Sequence, residues 1–144
     1  MQIRRMTKED CTQVAEIEAA SFSMPWSLGA FTETVEKENF RYFVAEENGE
    51  ILGYCGFLFV LDEAEIPNVC VKEAARKRGI GAKMMRVLLD DARSLGMAVL
   101  YLEVRESNQA ARRLYESLGF VENGIRKNFY AQPREDAILM SKTL

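Results

Sequence analysis

Histidine is absent from all 144 residues of this chain. That excludes Ser-His-Asp and Cys-His nucleophile systems, an H-E-x-x-H zinc site and an imidazole proton shuttle. Proton chemistry near neutral pH is left to carboxylates, tyrosine, lysine, thiol or water. Cysteine is scarce: Cys11, Cys55 and Cys70 are an odd number without C-x-x-C spacing, so no metal cage is expected and reduced thiols are the plain reading. Long apolar runs are missing too. Ile51 to Leu61 falls well short of the ~20 residues that cross a bilayer, and Met1 to Met6 lacks the apolar run of a signal peptide. A basic excess is also missing, since 19 Lys and Arg face 22 Asp and Glu for a net charge of −3, which argues against a nucleic-acid partner. These absences predict a soluble cytoplasmic protein with no membrane or direct nucleic-acid binding. No linker, repeat or low-complexity tract divides the chain, so residues 1–144 are expected to form one domain.

What is present reads as alternating strands and helices. Ile3 to Met6 suits a short strand, and Thr7-Lys8-Glu9-Asp10 has the form of a capping box. The helix behind it places Cys11, Val14, Ile17 and Ala20 or Ser21 on one face. Pro25 stops that helix, and Ser27 can cap a second one carrying Leu28, Phe31 and Val35. Arg41 to Glu46 alternates like a strand, Asn48-Gly49 is a hairpin signal, and Ile51 to Leu61 is the partner strand. A fourth strand is predicted over about 65–71, irregular or bulged because Pro67 cannot donate to a ladder. Ile80, Met84, Val87, Leu88, Ala92 and Leu95 share a helix face that ends at Gly96. Residues 98–104 read as another strand, its burial interrupted by Glu103. A helix from about Asn108 then buries Ala111, Leu114, Tyr115 and Leu118 before Gly119, and strands over about 120–128 and 136–142 complete the chain. The order β-α-α-β-β-β-α-β-α-β-β predicts one mixed α/β sheet of seven strands with helices on both faces.

The most informative segment runs from Val69 to Lys83. A strand enters the basic turn Arg76-Lys77-Arg78-Gly79-Ile80-Gly81, which opens directly into an amphipathic helix. Glycine permits close backbone approach, and the first amides of a helix are unpaired, so the turn can hold an anion such as a phosphate or pyrophosphate. The Walker pattern is absent, and the dinucleotide fingerprint is incomplete because Met84 stands at its third glycine. An exposed basic turn with a glycine start to its helix remains the plainer alternative.

Arg76-x-x-Gly79-x-Gly81, after a strand and at a helix start, resembles the acyl-CoA pyrophosphate loop of the GNAT acetyltransferase family, and the order of elements is similar over the whole chain. The resemblance extends through Ser23-Met24-Pro25-Trp26-Ser27, Ile66 to Val71, Leu102 to Ala111, Leu114 to Phe120 and Arg126 to Tyr130. It implies a mostly antiparallel GNAT sheet with a V-shaped splay between the fourth and fifth strands, and acetyl-CoA as cosubstrate. It further implies that the backbone of Val69, Cys70 and Val71 pairs with the pantetheine arm. Lys77, Arg78, Gly79, Ile80, Gly81 and Ala82 then hold the pyrophosphate, and Asn108 bonds the arm. The branch resembled implies, as acceptor, the N-terminal alanine of a small-subunit ribosomal protein.

Direct attack of an amine on a thioester needs a neutral amine, a stabilised oxyanion and a proton for the thiolate. Glu103 is a carboxylate in an apolar strand, where desolvation raises its pKa toward a useful range; a solvent-facing glutamate is the alternative. The family's proton acceptor matches Glu103 and its proton donor matches Tyr115, a residue whose place on an apolar helix face equally suits a core role. Asn108 equally suits a helix cap. The Val71 amide is the candidate oxyanion donor. Cys70 as an acyl-carrying nucleophile lacks any imidazole partner. Trp26, with Met24 and Pro25, reads as a wall of the acceptor pocket or as a plug under a loop. Glu63, Glu65, Glu106 and Asp62 are candidate contacts for a basic peptide or a solvated acidic surface. A lysine side chain or small amine as acceptor, and a non-catalytic acyl-CoA sensor, are the competing functions. A chain of this size can act as a monomer.

Overall fold

The computed structural model describes residues 1–144. Strands β1 (Gln2–Arg5), β2 (Phe40–Glu47) and β3 (Glu50–Val60) form an antiparallel meander. Asn48 at φ 51° and Gly49 at φ 82° make the tight turn between β2 and β3, as their sequence predicts. β4 (Glu63–Glu65) and β5 (Val69–Val71) each pair with a different stretch of β3. β6 (Val99–Arg105) pairs parallel with β4 and antiparallel with β8 (Arg134–Thr143), which carries β7 (Val121–Ala131) at the edge. The sheet is open and mostly antiparallel.

It has eight strands where seven were expected. The strand predicted over 65–71 is two short ones, because Pro67 interrupts donation between Glu65 and Val69. This break opens the sheet. The Ile66 amide donates to the Tyr101 carbonyl at 2.9 Å, and beyond it β5 stays with β3 while β6 continues with β8. The expected V therefore lies between the fifth and sixth strands.

Strand alternation sends neighbouring side chains to opposite faces and so builds two cores. Phe40, Tyr42 and Val44 of β2 pack with Val14, Ile17 and Phe31 from α1 (Cys11–Ser21) and α2 (Leu28–Thr34). Phe43 and Ala45 face the other way, toward Met84, Leu88 and Ala92 of α3 (Ile80–Ser94) and Tyr115 of α4 (Gln109–Ser117). Gly56 is there for Tyr42: a Cβ at Gly56 would lie 1.9 Å from that ring, which stacks on Phe40 at 4.1 Å. Arg41 of β2 clasps Asp91 of α3, its Nε donating at 2.9 Å.

Local signals held at the helix starts. Asp10 accepts from the Thr7 amide at 2.8 Å and the Thr7 hydroxyl at 3.1 Å, and Ser27 accepts from the Ala30 amide at 3.1 Å. Of Ala20 and Ser21 it is Ser21 that is part-buried, and two apolar positions differ from expectation: Leu28, the first residue of α2, and Leu95, just past the end of α3, are exposed. No helix is long and apolar enough to cross a membrane.

Candidate active site

The turn before α3 is built to leave donors unpaired. Lys77 (φ 65°) and Gly79 (φ 76°) both take left-handed backbone, at a cost of about 1 kcal/mol for the lysine. Within the chain no acceptor is bonded to the amides of Lys77, Arg78, Gly79, Ile80, Gly81 or Ala82; the first bonded amide is that of Lys83, to the Gly79 carbonyl at 3.1 Å. Consecutive free amides at the positive end of a helix suit an anion. The flanking cations are partly committed elsewhere. Arg78 pairs with Glu47 at 3.1 Å, and the Arg76 Nε donates to the Val71 carbonyl at 3.0 Å, so the backbone rather than the arginines faces any ligand.

The edge of β5 is the second element. Lys72 donates to the Leu52 carbonyl at 2.7 Å, so strand alternation makes Cys70–Tyr54 the next bonded pair. The amides of Val69 and Val71 then point away from β3, into the opening toward β6. A Cβ at Gly81 would stand 3.4 Å from Leu114 of α4 and 3.8 Å from Val71, so the gap between α3, α4 and β5 is about one side chain wide.

The opening leads to a cleft of about 680 Å³, whose lining includes Val69, Glu103, Asn108 and Tyr115. Its mouth is framed by Met24 and Trp26 of the α1–α2 connection and by Tyr130 to Pro133 at the β7–β8 turn. Glu103 projects from the face of β6 opposite to Leu102 and Val104, the residues with which Tyr115 shares a core. The two reach one cleft from opposite faces because nothing pairs with this edge of β6 beyond Tyr101. Glu103 is half-buried. Burial, aided by the charge of Glu65, pushes its carboxyl above the ordinary range, and Arg126 pulls it partly back.

Tyr115 is almost fully buried, packed on Phe120 at 5.9 Å, and burial holds its phenol well above the usual value. Asn108 caps α4, its Oδ1 accepting from the Ala111 amide at 3.2 Å, which leaves the other half of its amide free. Cys70 is buried, and desolvation raises its thiol, the wrong direction for a nucleophile.

Beside the cleft, and sharing Leu102 and Glu103 with it, lies an open groove of about 780 Å³. Glu63 and Glu65 line this groove, whereas Asp62 and Glu106 line neither cavity.

Among the cleft residues not singled out from sequence, two carry chemistry of their own. Tyr130 stacks under Arg105, the guanidinium 4.3 Å from its ring centre, and burial pushes its phenol up to about 12. Glu18 is 2% exposed and lines the cleft floor. It follows Val14 by four positions and Cys11 by seven, so a carboxylate on an apolar stripe was the available signal.

Comparison with known proteins places the fold and the sequence in one family. The profile of the acetyltransferase (GNAT) family matches residues 11–120. The ribosomal protein bS18-alanine N-acetyltransferase of Escherichia coli (strain K12) is 37% identical over 141 residues, covering 96% of this chain and 95% of that one. A crystal structure of the Escherichia coli ribosomal-protein-S18-alanine N-acetyltransferase superposes with a TM-score of 0.90 at 36% identity, covering 99% and 92%. Salmonella typhimurium yncA, solved with its cofactor acetyl-CoA, gives 0.89 at 26% identity, covering 100% and 94%. By fold, by the length of the match and by sequence, the chain belongs to the acetyltransferase (GNAT) family and is an N-acetyltransferase.

Proposed function

We propose that residues 1–144 act as one catalytic unit that moves an acetyl group from acetyl-CoA to the N-terminal alanine α-amine of a ribosomal protein. The acceptor is the one for which its relatives are named. The observation that carries the reading is the meeting of Glu103 and Tyr115 in one cleft from opposite faces of the sheet. Such a passage lets an amine arrive on one side and a thiolate leave on the other.

The residues present fit acetyl-CoA: the free amides of Lys77 to Ala82 suit its pyrophosphate, and along the Val69, Cys70 and Val71 strand the outward amides of Val69 and Val71 suit an extended amide-bearing arm. Asn108 has an amide donor to spare for the same arm. Bound there, acetyl-CoA supplies the thioester. Glu103 takes the proton from the incoming ammonium or amine, directly or through water. The Val71 amide, fixed by its strand, faces the charge developing on the carbonyl oxygen. Tyr115 delivers a proton to the departing sulfur.

An α-amine suits a carboxylate base. With a pKa of ~8, roughly a tenth of it is already neutral at pH 7, against well under a thousandth of a lysine at ~10.4. The open groove beside Glu103, with Glu63 and Glu65 along it, supports a peptide acceptor over a small amine. Mass spectrometry of N-terminal and lysine peptides incubated with acetyl-CoA tests the proposal. The expected product is an alanine-initiated peptide acetylated at its α-amine; acetylation confined to lysine side chains or to small amines overturns it.

A further inference from the structure

We propose that Glu18 is a positioning residue for the acceptor, its buried carboxylate holding the Trp26 wall and the entry to β5 at one spacing. The inference rests on the acyl-transfer reading above. Glu18 takes part in none of the ion pairs of the chain. A carboxylate buried without a cation is costly unless several donors converge on it. Here they do. The Trp26 amide donates to Oε2 at 2.9 Å, the Asn68 side-chain amide lies 3.0 Å from Oε1 and 3.2 Å from Oε2, and the Tyr54 hydroxyl donates to Oε1. The Tyr42 hydroxyl completes the set by donating to the Asn68 side-chain oxygen, which fixes which way that amide points.

Each donor comes from a different part of the fold: the α1–α2 connection, β3, and the residue before β5. Glu18, Trp26 and Asn68 all line the cleft. Trp26 is held from below as well, its ring 5.3 Å from Phe31 and 6.1 Å from Phe40. An apolar side chain at position 18 would fill the same space but would leave the Trp26 amide and Asn68 without an acceptor. The carboxylate thus ties the acceptor side of the mouth to the strand whose free edge faces the acyl group. The turn over 77–82 receives none of these bonds, so the pyrophosphate end of acetyl-CoA is held independently of Glu18.

Glu18→Gln keeps the shape and places an NH2 group against donors. With acetyl-CoA and an alanine-initiated basic peptide, we expect the peptide KM to rise about tenfold, as for one lost hydrogen bond to a charged group, with kcat and acetyl-CoA affinity changing less than about threefold. Trp26 is the single tryptophan, so its fluorescence reports the connection directly, and its emission should move to the red. An unchanged peptide KM with unchanged emission overturns the proposal. So does an equal loss of peptide and acetyl-CoA binding with a lowered Tm, which marks a role in folding alone. Should Glu18→Gln fail to fold, Tyr54→Phe removes one donor and leaves the Trp26 bond; a peptide KM raised about two- to threefold at constant acetyl-CoA affinity supports the proposal, and no change refutes it. If the parent protein transfers nothing to the peptide, the acceptor assignment fails by itself, while emission and acetyl-CoA titration of the variants still decide whether Glu18 fixes Trp26.

Discussion

Glu103 and Tyr115 divide the proposed proton traffic by face of the sheet, and each can be removed without reshaping the cleft. Glu103→Gln and Tyr115→Phe are each expected to lower kcat by about 10²- to 10⁴-fold while acetyl-CoA affinity stays near the parent value. Steady-state kinetics with calorimetry check this, and unchanged turnover in either variant removes that residue from its role. The surroundings of Glu103 also set a pH dependence. Its proton-accepting form exists only above its raised pKa, so kcat should fall as pH drops through a value above the ordinary glutamate range. Glu65→Gln removes a like charge and should carry that acid limb to lower pH; Arg126→Gln removes an opposite one and should carry it higher. A pH–kcat profile of the three proteins tests the order.

The elements were legible wherever a local rule decided them. Ile80, Met84, Leu88 and Ala92 repeat at helical spacing, and α3 buries that stripe; Asn48-Gly49 turns as its residue types require. What was not legible depends on distant partners. The burial of Glu18 makes sense only beside Tyr54 and Asn68, 36 and 50 residues away. Pro67 announced an irregular strand, but not that its two halves would keep β3 while only the first joined β6. The candidate site was readable as residue types and as a glycine turn; the passage between the two faces was not, because it is a property of the sheet. Two glycines separate structural from ligand needs. Gly56→Ala drives a methyl into the Tyr42 ring and should cost about 1–3 kcal/mol in chemical denaturation, with the turn over 77–82 unaffected. At Gly81 a Cβ meets only the ends of the Leu114 and Val71 side chains, so Gly81→Val should cost less stability than Gly56→Ala. It crowds the gap to Leu114 and Val71, however, and calorimetry should show acetyl-CoA binding weakened by tenfold or more, on the order of 1.4 kcal/mol.

Across the molecule, net charge and the groove carboxylates Glu63 and Glu65 work in one direction. A basic acceptor peptide should therefore show a KM that climbs when ionic strength rises from about 0.05 M to about 0.5 M, and a neutral peptide should not. Equal behaviour of the two peptides in a salt series would remove the groove from acceptor binding. The three-residue parallel pairing of β4 with β6 has a reach beyond the site. Apart from it, the β-ladders form two blocks, β1 to β5 before α3 and β6 to β8 after it. Each side of the cleft lies in a different block, with Val69 to Ala82 in or beside the first and Glu103 and Tyr115 in the second. In refolding, that ladder repays the closure of some 35 intervening residues with only three residue pairs, so it is expected to form after the longer ladders within each block. Recovery of activity should consequently lag behind recovery of secondary structure, which makes enzymatic turnover a clock for the moment when the two halves of the chain join.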